Sequence, residues 1–127
     1  GTIIEGDITT NGDIRIDGTL SGKIVSDGKL VVGQTGIVEG EIVCKNADIS
    51  GTIQANIHVK ELLLLKSTAN ITEDIKTSKL VYKERVKFKP GKNTLQIKQA
   101  VRETGKTKGV EKLDGITDVG FRIEKIE

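Results

Sequence analysis

A five-residue pattern returns along the first 75 residues, and its spacing constrains this chain more than any other feature. The copies read Ile4-Glu5-Gly6-Asp7-Ile8, Leu20-Ser21-Gly22-Lys23-Ile24 and Val38-Glu39-Gly40-Glu41-Ile42. Looser versions follow at Ile53-Gln54-Ala55-Asn56-Ile57 and Ile71-Thr72-Glu73-Asp74-Ile75. Successive copies begin 16, 18, 15 and 18 residues apart. That period is too long for a helical heptad and too short for a globular domain. It is the length of one coil of a β-solenoid, in which near-identical turns stack on one another.

Each coil offers strand-like stretches of alternating character. Side chains alternate across a strand, so Ile4, Gly6 and Ile8 share one face while Glu5 and Asp7 take the other. A second stretch points Ile14 and Ile16 inward and Asp13, Arg15 and Asp17 outward, with later counterparts Leu30 and Val32, Leu63 and Leu65, and Leu80 and Tyr82. Small residues recur between stretches, Gly12, Gly28 and Ala47 in one column and Gly18, Gly36, Gly51 and Ala69 in another, as corners require. The expected fold is all-β, a parallel β-helix of about five to six coils with a C-terminal appendage. Parallel crossovers are right-handed in about 98% of cases. The spacing departs from the strict 18-residue turn of left-handed hexapeptide helices, so the expected hand is right.

Composition agrees. Aromatic residues make up 2% of the chain, and Met and Trp are absent, so the interior must be aliphatic. Fifteen glycines beside a single proline imply many turns and little Pro-rich disorder. A lone cysteine, Cys44, rules out an internal disulfide framework and suits a reducing cytoplasm. A net charge of +2 gives no electrostatic case for nucleic acid, and the four-residue run from Leu62 to Leu65 is far short of a membrane span.

Candidate chemical sites are few. The run from Ala100 to Thr107 matches a relaxed phosphate-binding loop with Ala in place of the first Gly, but Gly109 discourages the helix such a loop requires. A solvated basic turn is the expected reading. His58 alternates with Ile57 and Val59 and is expected at the surface, although a catalytic histidine on a hexapeptide-type acyltransferase is the enzyme alternative. Cys44 is expected to pack inward as a small apolar residue. Thr19, Thr35, Thr52 and Thr68 are expected to form one ladder up a corner. No calcium pattern, metal site or cofactor is expected.

The runs Gly12–Ile24, Gly28–Gly33 and Ala47–Gly51 resemble the bactofilin family of bacterial polymer-forming cytoskeletal proteins, in register over roughly residues 2 to 88. The resemblance implies a right-handed β-helix over residues 1–89 that assembles end to end into filaments without nucleotide, as a homopolymer. It also implies cell-envelope or cell-shape partners and a cytoplasmic location. Association with the inner membrane would run through an N-terminal segment that these residues do not include. The phenylalanine that the family uses in its polymerisation contact corresponds to Phe88. With the other apolar residues of the terminal coils, the expected interface is Phe88, Val86, Tyr82 and Leu80 at one end and Ile4 and Ile8 at the other.

Two departures carry expectations of their own. Glu73 stands in the column of Gly6, Gly22 and Gly40, where an unpaired buried carboxylate is costly, so the fifth coil should open there. Residues 90–127 lie outside the resemblance and are expected to fold over the last coil, capping its apolar end. The competing reading is a non-polymerising solenoid that serves as a binding platform, closed by that tail.

Overall fold

The computed structural model describes residues 3–83, 87–88, 94–104, 107–111 and 122–125. Every regular element among them is a strand. The first coil holds β1 (Ile3–Glu5), β2 (Ile8–Thr10) and β3 (Ile14–Ile16); β4 (Thr19–Ser26) and β5 (Lys29–Val32) form the second. The third and fourth are nearly continuous as β6 (Ile37–Ile49) and β7 (Thr52–Leu65), and the fifth comprises β8 (Asn70–Ile71) and β9 (Ile75–Lys83). Beyond it come β10 (Lys87–Phe88), β11 (Thr94–Thr104), β12 (Thr107–Glu111) and β13 (Arg122–Lys125). Each strand from β4 through β11 pairs in parallel with its counterpart one coil earlier, so the chain is a β-solenoid.

Parallel pairing in register stacks like on like. Ile4, Leu20, Val38, Ile53, Ile71 and Phe88 occupy one column. Ile8, Ile24, Ile42, Ile57, Ile75 and Leu95 occupy a second. A third runs Ile16, Val32, Ile49, Leu65 and Tyr82. Leu20, Ile24, Val32, Val38, Ile42, Ile49, Ile53, Leu65 and Ile71 are all 0% exposed. Each such aliphatic side chain contributes about 1.5–3 kcal/mol on leaving water.

The uneven period has a simple origin in two corners. From Ile16 to Leu20 and from Ile49 to Ile53 the corner step is four residues, whereas from Val32 to Val38 and from Leu65 to Ile71 it is six. The longer form inserts a turn closed by Gly36 N donating to Gly33 O, or Ala69 N to Lys66 O, both at 2.9 Å. At the other corner the step is six residues from Ile24 to Leu30 but five from Ile42 to Ala47, and the register shifts between Cys44 and Asn46 where the two lengths meet.

These corners correct two sequence expectations. Ala47 does not join Gly12 and Gly28; the shorter corner carries it into register with Leu30 and Leu63, in the core at 2% exposure. The four threonines do not form one ladder either. Thr19 and Thr52 share a strand column with Ile37, while Thr35 and Thr68 sit in the inserted turns and donate to Asp17 O and Ser50 O of the coil below.

The glycine column is the tightest part of the stack. Gly6, Gly22 and Gly40 have φ of 119°, 145° and 120°, a region that L side chains rarely adopt, and a Cβ on Gly40 would overlap the carbonyl oxygen of Gly22. Ala55 closes the column, fully buried, in the fourth coil. At Glu73 the strand is interrupted between β8 and β9, and the side chain is exposed. The fifth coil opens there, as the cost of burying a carboxylate requires.

Candidate assembly surfaces

The outward faces are polar and largely self-satisfied. Lys23 stands between Asp7 and Glu41: its backbone N donates to Asp7 Oδ1 at 3.0 Å, and its Nζ is 3.8 Å from Glu41 Oε2. Such exposed pairs contribute at most about 1 kcal/mol, so they favour solubility more than stability. A groove of about 450 Å³ runs past Arg15, Gly33, Gln34, Asp48 and Lys66, and its charges are matched. Arg15 pairs with Asp17 at 2.8 Å, which raises the guanidinium pKa, and Lys66 pairs with Asp48 at 3.4 Å.

The residues singled out for chemistry sit in ordinary places. His58 is exposed, in register between Val43 and Lys76. Cys44 is 0% exposed, and desolvation pushes its thiol up to about 11, so it is protonated at neutral pH. The phosphate-loop match dissolves: residues 100–104 and 107 lie on two antiparallel strands, Thr104 opposite Thr107, where such a loop requires a strand followed by a helix. Among the described residues no helix is long and apolar enough to cross a membrane.

The ends of the stack differ from its flanks. Among the described residues, β1, β2 and β3 each have one neighbouring strand, leaving the outer edge of the first coil unpaired. Ile4 is 44% exposed and Ile8 and Ile14 are half-buried, whereas their column partners Leu20, Ile24 and Leu30 are 0% exposed. Side chains stitch this coil to the next where its strands break. Asp7 Oδ1 accepts from Lys23 N, and Asp13 Oδ1 accepts from Lys29 N at 2.8 Å.

At the other end the solenoid runs further than the repeats suggest. β10 pairs with β8, which puts Phe88 at the head of the Ile4 column. β11 then lies along β9, Leu95 opposite Ile75 through Glu103 opposite Lys83, and its Ile97 is buried. Leu80 and Tyr82 are 0% and 4% exposed and lie beneath β11, one coil below the end. β13 pairs in parallel with the first half of β11 and β12 antiparallel with the second half. The outermost strands here are β10, β12 and β13, each with one neighbour among the described residues. Val86 lies outside the described residues.

The site is thus a stack of aliphatic columns whose outermost strands, among the described residues, each have one neighbour. A family described as "Polymer-forming cytoskeletal", Bactofilin, matches residues 1–93. The chain belongs to the bactofilin family. Bactofilin BacO of Myxococcus xanthus is 32% identical over 87 residues, 68% of this chain and 69% of that one. Bactofilin BacP of the same organism is 24% identical over 115 residues, 84% of this chain and 48% of its own. A second family, GldH lipoprotein, matches residues 66–123 and overlaps the bactofilin match across the fifth coil. The gliding motility lipoprotein GldH of Flavobacterium johnsoniae is 73% identical over 52 residues, 41% of this chain and 32% of that protein. This bactofilin thus spans about a third of the GldH lipoprotein it matches. No solved structure matches. Sequence reading missed the second likeness, because residues 90–127 show no solenoid period to read.

Proposed function

We propose that this polymer-forming cytoskeletal protein is a nucleotide-independent scaffold that self-assembles by joining the ends of its β-solenoid. The observation that carries the reading is the pair of open ends. Among the described residues each end presents strand edges with a single neighbour, and the first coil exposes Ile4 at the start of an aliphatic column, so a junction completes backbone ladders and buries apolar surface in one step. No hydrolysis is needed, because both gains arise from contact alone. On this reading the scaffold is cytoplasmic and organises cell-shape or envelope machinery. The likeness of residues 66–123 to a gliding-motility lipoprotein supports a place for this chain itself at the cell envelope.

One observation favours a second reading, a solenoid platform closed by its tail. β11, with β12 and β13 beyond it, covers the edge of β9 that would otherwise be the growing surface. The two readings separate at Phe88. Phe88→Arg puts a charge at the head of an aliphatic column, and the scaffold reading expects it to shorten or abolish assemblies seen by negative-stain electron microscopy. Assemblies as long as those of the unaltered protein would reject the junction.

A further inference from the structure

We propose that Asn11-Gly12, at the corner between β2 and β3, is a site of spontaneous covalent modification. The Gly12 nitrogen attacks the Asn11 side-chain amide, ammonia leaves, and residue 11 becomes aspartate or isoaspartate. The reaction is independent of self-assembly.

Both residues are exposed, and among the described residues the Asn11 side-chain amide has no hydrogen-bond partner. Gly12 N donates to Thr10 Oγ1 at 3.2 Å, the long end of the range for such bonds, so the attacking nitrogen is loosely held. Glycine brings no Cβ to hinder the approach, and nothing lies within 4 Å of where one would stand. The corner of the next coil is the contrast. Asp27-Gly28 stands in register with Asn11-Gly12, and a Cβ on Gly28 would meet Gly12 C at 2.8 Å and Gly12 O at 2.9 Å. Gly28 O also accepts from Lys45 N and Asn46 N of the third coil. That corner is clamped from both sides, whereas β2 and β3 each have one neighbour among the described residues. The other described asparagines lie in strands. Asn46 Oδ1 accepts from Leu62 N at 3.3 Å, and the nitrogen that follows Asn56, that of Ile57, donates to Asp74 O at 2.9 Å. Asn70 is followed by Ile71, whose branched side chain is fully buried.

Water is the only reagent. Gly12 gives its amide proton to solvent base and bonds to Asn11 Cγ; the Cγ–Nδ2 bond breaks and ammonia departs. Water then opens the cyclic imide. Opening at Cγ gives aspartate, and opening at the main-chain carbonyl carbon of residue 11 leaves the backbone running through the side chain as isoaspartate. Either product is about 1 Da heavier and carries an added negative charge. Aspartate fits the corner, since Asp27 occupies the matching place one coil on. Isoaspartate adds a methylene to the main chain between two bonds that tie this coil to the next, Asp27 N to Thr10 O at 3.2 Å and Ser26 Oγ to Gly12 O at 2.8 Å. It should loosen β2 and β3 from β4 and β5.

Trypsin releases residues 1–15 as one peptide, so mass spectrometry of aged, unaltered protein is the deciding measurement. Native protein held at mildly alkaline pH should gain about 1 Da in that peptide, as two products told apart by electron-transfer fragmentation. The converted fraction should rise with pH, because the Gly12 amide must lose its proton. Gly12→Ala should slow the change severalfold and keep its fold by circular dichroism, since its Cβ enters open space. A peptide that keeps its mass in native protein, while the urea-unfolded chain converts, would overturn the site. An equal gain at Asn56 or Asn70 would overturn it as well, as ageing without preference for this corner. The unaltered protein decides the question whether or not the variant folds.

Discussion

Gly40 lies directly over Gly22, so close that a side chain on the upper residue would occupy the space of the lower one's carbonyl oxygen. Both also have positive φ, 120° and 145°. Gly40→Ala should therefore incur steric overlap in addition to backbone strain, which alone costs about 1–3 kcal/mol. Gly6 has the same backbone at φ 119° but open space where the Cβ would go. Gly6→Ala should cost the strain alone. Urea unfolding of the two variants should place Gly40→Ala clearly below Gly6→Ala; equal midpoints would contradict the close approach.

One coil further up, the same column tests burial of charge. Ala55 is 0% exposed, whereas Glu73, its equivalent one coil on, is exposed in a broken strand. Ala55→Glu should cost several kcal/mol, about 3 or more, and leave little folded protein. Glu73→Ala should stay within about 0.5 kcal/mol of the parent. Thermal melts of the pair measure the contrast, and a tolerated Ala55→Glu would mean that the column does not face the core.

Cys44 gives the stability a pH dependence of known sign. Its folded pKa is raised by burial, to about 11, so the folded state holds the proton where the unfolded thiol, at about 8.5, has released it. Stability from this group is complete below about pH 8.5 and is lost as pH rises through about 11, by roughly 3 kcal/mol. Comparing wild type with Cys44→Ala across this window isolates the effect, since the alanine variant should lack that part of the decline. Aromatic disulfide reagents should modify Cys44 slowly at pH 8 in native protein and fast in denaturant.

The stack was legible in the sequence because its core columns repeat as a chemical pattern: Ile8, Ile24, Ile42, Ile57 and Ile75 announce themselves. What stayed hidden depends on small changes in corner length. Ala47 looks like a corner residue, and only the shortened corner after Cys44 makes it a core residue. The place of β11 along β9 was hidden for a similar reason. Phe88 follows Ile71 by 17 residues, within the established period, but Leu95 follows Ile75 by 20. Residues inserted around Pro90 and Gly91 break the spacing just where β11 begins. Of the residues expected at the interface, Ile4 and Phe88 stand at the ends of their column, whereas Leu80 and Tyr82 lie one coil inside, beneath β11.

The most direct test of the central claim is negative-stain electron microscopy of the purified protein, near physiological salt and without nucleotide. The account predicts unbranched filaments one solenoid wide. Uniform single particles at every concentration tried would contradict it and leave the tail-closed platform as the better description.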